Sequence, residues 1–262
     1  MQTDLLQLEL IAEEVDSRTE KPKAVSSKEL LGRVLVACEF SGIVRDAFAA
    51  RGWDAWSCDT LPTESKGQHF QGDVRDILKE GWDIVIAHPP CTHLCSSGAR
   101  YFVAKQADGR QQQGVDFFMA MVNAPVAHLA VENPVGIMSR LYRKPDQIIQ
   151  PWMFGHPESK ATCLWIRGLP KLTPTKILHP EWGKPDKNGK RTSLSHNAPR
   201  IRWSNQTASG QNKLGPSLKH PELRAKLRSI TYTGIAEAMA DQWTLALCSN
   251  VDIRHAGPGR VD

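Results

Sequence analysis

The 262 residues contain no apolar run near the roughly 20 that a bilayer-spanning helix requires. The opening stretch, MQTDLLQLELIAEEVDSRTE, is acidic and broken by charge, so the basic-then-apolar pattern of a secretory signal is missing as well. Six cysteines, at positions 38, 58, 91, 95, 163 and 248, lie too scattered for a secreted disulfide scaffold. A reducing cytoplasm is the compartment these absences suggest. There is also no internal repeat, no pair of Cys-x-x-Cys motifs and no complete G-x-G-x-x-G fingerprint.

What remains is an ordinary soluble composition, 40% apolar and 23% charged, at a length suited to one sizeable domain with at most a small appendage. The net charge of +5 hides an asymmetry. His156 to Arg228 holds 15 Lys plus Arg against 4 Asp plus Glu, a local +11 that leaves −6 elsewhere. A basic segment beside a mildly acidic body suits a polyanion held at one region. A solvated loop that happens to be basic is the blander account, and basicity does not separate DNA from RNA.

Residues 1–30 read as a flexible N-terminal extension. The regular part starts at RVLVACEFSG, a β-branched run entering a glycine, and continues into IVRDAFAARG, whose Ile43, Val44, Ala47 and Phe48 share a helical face. WDAWSCD is a second short strand ending in Asp59, and HFQGDVRDIL places Asp73 after a turn, ahead of a short helix. WDIVIAHPPC is a strand, RQQQGVDFFMAMVNA a helix, VAHLAVENP a strand halted by Pro134, and ATCLWIRGL another strand. From about Leu172 to Pro216 the Pro-, Gly-, Lys- and Asn-rich chain reads as long loops. PSLKHPELRAKLRSI and TGIAEAMADQWTLAL then read as helices, the second with Ile235, Met239 and Trp243 on one face. Strands alternating with helices imply an α/β fold, a mostly parallel sheet with helices on both faces. The catalytic body is expected over 31–170 and 229–248, with 171–228 a short basic, loop-rich region for substrate recognition.

In a parallel sheet the carboxyl ends of the strands share one edge, where ligands bind. That edge would receive Glu39-Phe40-Ser41-Gly42, Asp59, Asp73, Pro89-Pro90-Cys91 and Glu132-Asn133-Pro134. A glycine turn opening a helix lets backbone donors approach a ligand closely. An acid at the second strand's end can accept from ribose hydroxyls, and Asp73 can accept from an adenine amino group. Each acid taken singly is equally a helix cap or turn residue. The prolines after Ala87 end their strand by fixing φ and removing backbone donors, which leaves Cys91 behind a rigid turn.

ACEFSGIVRDAFAARGWDAWSCD, then GDV, PPC and ENP, resemble the ordered blocks of the DNA cytosine carbon-5 methyltransferases over residues 33 to 137. The short methyltransferase-like proteins of phages and prophages are the most similar in layout. The resemblance implies a Rossmann-like S-adenosylmethionine-dependent methyltransferase fold. It implies that Glu39, Phe40, Ser41, Gly42, Asp59, Asp73 and Pro89 hold S-adenosylmethionine. It makes Cys91 the nucleophile, with Glu132 and Asn133 at the target base, and DNA the partner, inside a bacterial or phage-infected cell. Pro90, Lys160, Arg167, Lys190, Arg191, Arg200 and Arg202 are then the substrate-side candidates, and no metal is called for.

The chemistry explains the grouping. Carbon-5 of cytosine is a poor nucleophile until a thiolate adds at carbon-6 and makes the ring enamine-like. A free thiol has a pKa of about 8.5, so the loop must favour thiolate or remove its proton. Glu132 would hold or donate a proton at ring nitrogen 3, and burial is expected to raise its pKa and favour the neutral form. Asn133 would orient the loop or the carboxyl. A paired base cannot reach such a pocket, so flipping or a single strand is implied.

One departure from the family is plain: the usual Gln-x-Arg-x-Arg block is replaced by GHPESKATCLWIRG, with Lys160, Thr162 and Arg167. This leaves room for a partner subunit in target recognition. Other readings stay open. His88, Cys91, His93 and Cys95 lie within eight residues and could ligate zinc. An adenosylmethionine enzyme acting on RNA, another pyrimidine or an exocyclic amine would use the same edge. An inactive nucleic-acid-binding relative could use Trp182, Arg200, Arg202 and Trp203 for stacking and phosphate contact. Cys95 competes with Cys91 as nucleophile but lacks the support of the two prolines.

Overall fold

The structure, a computed structural model, describes residues 30–179, 181–182, 201–207, 212–214 and 220–255. The N-terminal extension and the candidates Lys190, Arg191 and Arg200 lie outside the described residues. Seven strands build one sheet: β1 (Arg33–Ala37), β2 (Asp54–Asp59), β3 (Gln68–Gln71), β4 (Ile84–Ala87), β5 (His128–Pro134), β6 (Gln147–Ile149) and β7 (Thr162–Arg167). Their spatial order is β3-β2-β1-β4-β5-β7-β6. The pairs β1·β2, β1·β4, β2·β3 and β4·β5 are parallel, and β7 runs antiparallel to both β5 and β6. This is a Rossmann-like α/β fold, and Leu31–Asp262 forms one compact unit.

The uninterrupted apolar runs RVLVA and IVIA follow from burial on both faces, as parallel sheets require. Val34, Val36, Ile84 and Ile86 point to one layer, where they meet Val44 and Phe48 of α1 (Ile43–Ala49) and Ile235, Met239 and Trp243 of the C-terminal helix (Thr233–His255). That helix presents the face its spacing predicts. Leu35, Ala37, Val85 and Ala87 point the other way, onto Val74 and Ile77 of α2 (Val74–Ile77) and onto Phe118 and Met121 of the helix Arg110–Val122. Full burial of each such side chain stabilises the fold by about 1.5–3 kcal/mol. Among the described residues no helix is long and apolar enough to cross a membrane.

Four elements were not legible as such. β3 and β6 are short edge or near-edge strands without a clear alternation, and α3 (Phe102–Ala107) follows directly on a 3-10 turn, Ser96–Tyr101. The fourth lies in the region read as long loops, which holds a ribbon: β8 (Glu181–Trp182) pairs antiparallel with β9 (Ile201–Arg202). The remaining helices are α4 (Arg110–Val122), α5 (Met138–Leu141), α6 (Pro221–Ser229) and α7 (Thr233–His255). The sheet order reverses between β1 and β4, so a crevice opens beyond their carboxyl ends.

Candidate active site

The end of β1 is shaped by backbone. Cys38 has φ of 61°, the one non-glycine residue with positive φ among those described, and Gly42 follows at φ 75° as the N-cap of α1. A side chain at Gly42 would collide with Ser65 and Arg45, which is why glycine stands there. Glu39 turns inward: its Oε1 accepts from Val44 N–H at 2.7 Å and its Oε2 from Arg45 N–H at 3.2 Å, at the positive end of α1. Burial pushes this carboxyl up, opposed by the charge of His88 and by those backbone donors. Glu39 is thus a helix-capping group 4% exposed, and Ser41 donates to it at 3.3 Å.

Sequence reasoning missed Arg45. It is 1% exposed, and its guanidinium donates to Ser57 Oγ at 3.0 Å, Thr63 Oγ1 at 3.2 Å, Ser65 Oγ at 2.5 Å and Lys66 O at 3.2 Å. One arginine therefore holds the whole β2–β3 loop against α1. Its helical spacing gives no hint of this, because the partners lie on a different segment. Phe40 is buried under the same loop, with Glu64 N–H donating to its carbonyl at 2.9 Å. Lys226 of α6 lies 5.6 Å from the Phe40 ring centre and pairs with Glu64.

The acids at β2 and β3 are used differently. Asp59 Oδ1 accepts from Leu61 N–H at 2.9 Å, and Oδ2 has no partner among the described residues. Asp73 caps α2 by accepting from Arg75 N–H at 2.9 Å, and the Arg75 guanidinium takes both of its oxygens. Those contacts hold the Asp73 carboxyl down at about 2.

At β4 and β5 the contacts run between strands. Asn133, 2% exposed, donates from Nδ2 to Pro89 O at 2.8 Å and so ties the Pro89-Pro90-Cys91 turn to the end of β5. His88 Nδ1 donates to Glu132 Oε2 at 3.2 Å, while His88 Nε2 is buried with no partner among the described residues. Burial raises the Glu132 carboxyl, but the hydrogen bond from His88 and the charges of Lys160 and His88 outweigh it, and the net direction is down. The expected raised Glu132 is therefore corrected: the His88 hydrogen bond and the Lys160 charge offset desolvation and favour the carboxylate.

Cys91 and Cys95 lie on one turn, closed by Cys95 N–H donating to Cys91 O at 3.0 Å, and their thiols act on each other. The Cys91 thiol, then burial, Ser97 Oγ at 3.2 Å, the Gly98 N–H and the charge of Arg228 act on Cys95, and the balance draws it down to about 5. Cys91 is pushed up, chiefly by the Cys95 thiol. Among the described residues no group of three His, Cys, Asp or Glu is gathered for a metal.

The antiparallel course of β7 separates two candidates. Thr162 pairs with Pro134 and Arg167 with Leu129, so the start of β7, not its end, reaches the crevice. Lys160 stands there, donating from Nζ to Arg228 O at 2.9 Å. Arg167 is corrected from substrate contact to a structural cation at the opposite edge, where it donates to Val122 O at 3.1 Å and Ala124 O at 2.5 Å, the carbonyl end of α4. A cavity of about 510 Å³ opens between Cys95, Val135, Lys160, Asn205, Arg228 and Tyr232. Trp203, considered for base stacking, instead lies on Trp152 with ring centres 5.7 Å apart and planes at 8°. Arg202 sits in β9, in the short ribbon.

No family model matches the chain, and no curated protein matches it. Solved structures do, among them a candidate DNA modification methyltransferase encoded within a prophage, from E. coli, with 18% identity and a TM-score of 0.40. The match covers 57% of this chain and 52% of that one, so it spans about half of that protein's length.

Proposed function

We propose that the chain is an S-adenosylmethionine-dependent DNA methyltransferase that acts on carbon-5 of cytosine through a covalent Cys91 adduct. The observation that carries this reading is the junction of β4 and β5, where the Asn133–Pro89 bond sets Pro89-Pro90-Cys91 beside Glu132. The seven-strand order with one reversed strand is also the arrangement of adenosylmethionine-dependent methyltransferases, an argument from fold alone.

The crevice fits the cofactor. Asp59 keeps one carboxylate oxygen for ribose hydroxyls, and Phe40 and Pro89 flank the same edge. When bound there, S-adenosylmethionine supplies an electrophilic methyl group. Asp73 contributes less than its position suggests, since Arg75 already engages its carboxylate.

On the substrate side Cys91 adds to carbon-6, and its proton is shared with the Cys95 thiol beside it. Glu132 faces the ring nitrogen, where charge builds as sulfur adds. Lys160 and Arg228 line the cavity with positive charge suited to the sugar-phosphate. Lys190, Arg191, Arg200 and Arg202 add phosphate contacts, and the local +11 of residues 156–228 makes DNA the fitting polymer partner.

Nucleoside mass spectrometry of DNA from cells expressing the chain, with and without Cys91→Ser, tests the reaction. 5-Methylcytosine that depends on Cys91 supports it, and none in either case defeats it. Binding should also weaken with salt, by about 0.9 log units of affinity per log unit of salt for each duplex phosphate neutralised, or about 0.7 on a single strand. Salt-insensitive binding with no adduct on a 5-fluorocytosine oligonucleotide would move the assignment to RNA or a small pyrimidine.

A further inference from the structure

His88 takes no part in the reaction as drawn so far, yet its surroundings are unusual. Its side chain is 8% exposed and lies where β4 ends, one residue before the Pro-Pro turn. Nδ1 meets Glu132 Oε2 at 3.2 Å from the neighbouring strand, and Nε2 has no partner among the described residues. A second buried carboxyl, Glu39 at the end of β1, is close enough for the two charges to act on each other. His88 and Glu132 share a small cavity of about 20 Å³ with Lys160, Thr162 and Tyr232, room for one water. The groups around the imidazole are therefore Glu39 from β1, Glu132 from β5, Lys160 from before β7 and Tyr232 from before α7.

We propose that His88 is the proton partner of Glu132: its Nδ1–H holds the carboxylate in place and supplies, through it, the proton that ring nitrogen 3 takes up as sulfur adds to carbon-6. This rests on the methyl-transfer function proposed above and gives Glu132, a carboxylate in the free site, a source for the proton it must deliver. The step starts from the imidazolium: its Nδ1–H bond breaks while Nε2 keeps its proton, an O–H bond at Glu132 forms and is passed on, and an N–H bond at the pyrimidine forms. His88 ends neutral and Glu132 ends as the carboxylate. When the thiolate leaves, the proton retraces the same path. Histidine suits the task because its charge changes near neutral pH.

The test has two arms. Histidine-selective NMR titration of the whole protein reads the pair without any substrate. Nδ1 should carry the proton that faces Glu132, and Glu132→Gln should lower the His88 midpoint, as loss of an adjacent opposite charge requires. An unchanged midpoint would overturn the proposal. The second arm compares methyl transfer by the native chain and His88→Asn, whose amide can still donate to Glu132 but cannot titrate. The turnover number should fall on the order of 10²-fold, the alkaline limb of its pH profile should vanish, and cofactor affinity should stay within about twofold. Full turnover with an unaltered profile in His88→Asn would also overturn it. A coupled NMR midpoint in a native chain that methylates neither DNA nor RNA supports the proton pair and overturns the methyl-transfer function instead.

Discussion

The two halves of the crevice are built on different principles. Beyond β1, β2 and β3, each acid is spent close to home: Glu39 on the first turn of α1, Asp59 on its own loop, and Asp73 on the cap of α2. Beyond β4 and β5 the contacts cross between strands, His88 to Glu132 and Asn133 to Pro89, each joining residues 44 positions apart. Local capping makes a rigid, generic cradle whose geometry survives the loss of any single acid. Cross-strand ties instead set the positions of reacting groups against one another, so a single loss misplaces chemistry rather than unfolding a turn.

Substitutions on the two sides should therefore separate activity from stability. The largest effect is expected at Cys91→Ser: transfer and the 5-fluorocytosine adduct should both disappear, while calorimetry still shows cofactor binding. Cys95→Ser should keep the adduct and slow its formation by about tenfold, since it removes a shared proton rather than the attacking sulfur. An adduct that survives Cys91→Ser and is lost in Cys95→Ser would reverse the two roles.

On the other side, Arg45→Met should cost about 3–5 kcal/mol in urea unfolding, because Asp46 and the β2–β3 loop lose a buried cationic partner. Cofactor affinity should fall with it. Asn133→Ala should cost less, about 1–3 kcal/mol, by leaving Pro89 O without its donor. Its effect on turnover should exceed its effect on stability, and equal effects would erase the distinction between the two halves.

The smallest effect is expected at Asp73. Its carboxyl is held down at about 2, so its contribution is present above the unfolded value near 3.9 and is lost as pH falls through 2. Asp73→Ala should remove about 1 kcal/mol at neutral pH, the usual worth of an N-cap, and flatten the acid side of the stability profile. Loss of cofactor binding well beyond that would mean the adenine contact outweighs the cap.

How much of this was legible in the chain itself follows the same division. VLVA within β1, IVIA within β4 and LAV within β5 announce buried strands because a short apolar run bounded by breakers has few other uses, and the Pro-Pro turn announces where β4 must stop. Cys91, Glu132 and Asn133 could thus be placed at one edge from local pattern alone. Arg45 could not, since a buried arginine on a helix is recognised only by partners from the loop it holds. Nor could the net direction at Glu132: desolvation was foreseeable, but the outcome depended on His88 and Lys160 arriving from two other segments.

The amino-acid sequence by itself determined where the central buried strands and their flanking helices lie and which residues end those strands, because periodicity and strand breakers act over a few residues. Tertiary structure alone decided which of those ends meet. The reversal of β7 brought Lys160 to the crevice and carried Arg167 to the far edge, a choice of strand direction that the run ATCLWIRGL does not encode. It also decided that the histidine before the prolines would face a carboxylate on the next strand, since a contact across 44 residues is settled by sheet register and burial, not by neighbours in the chain.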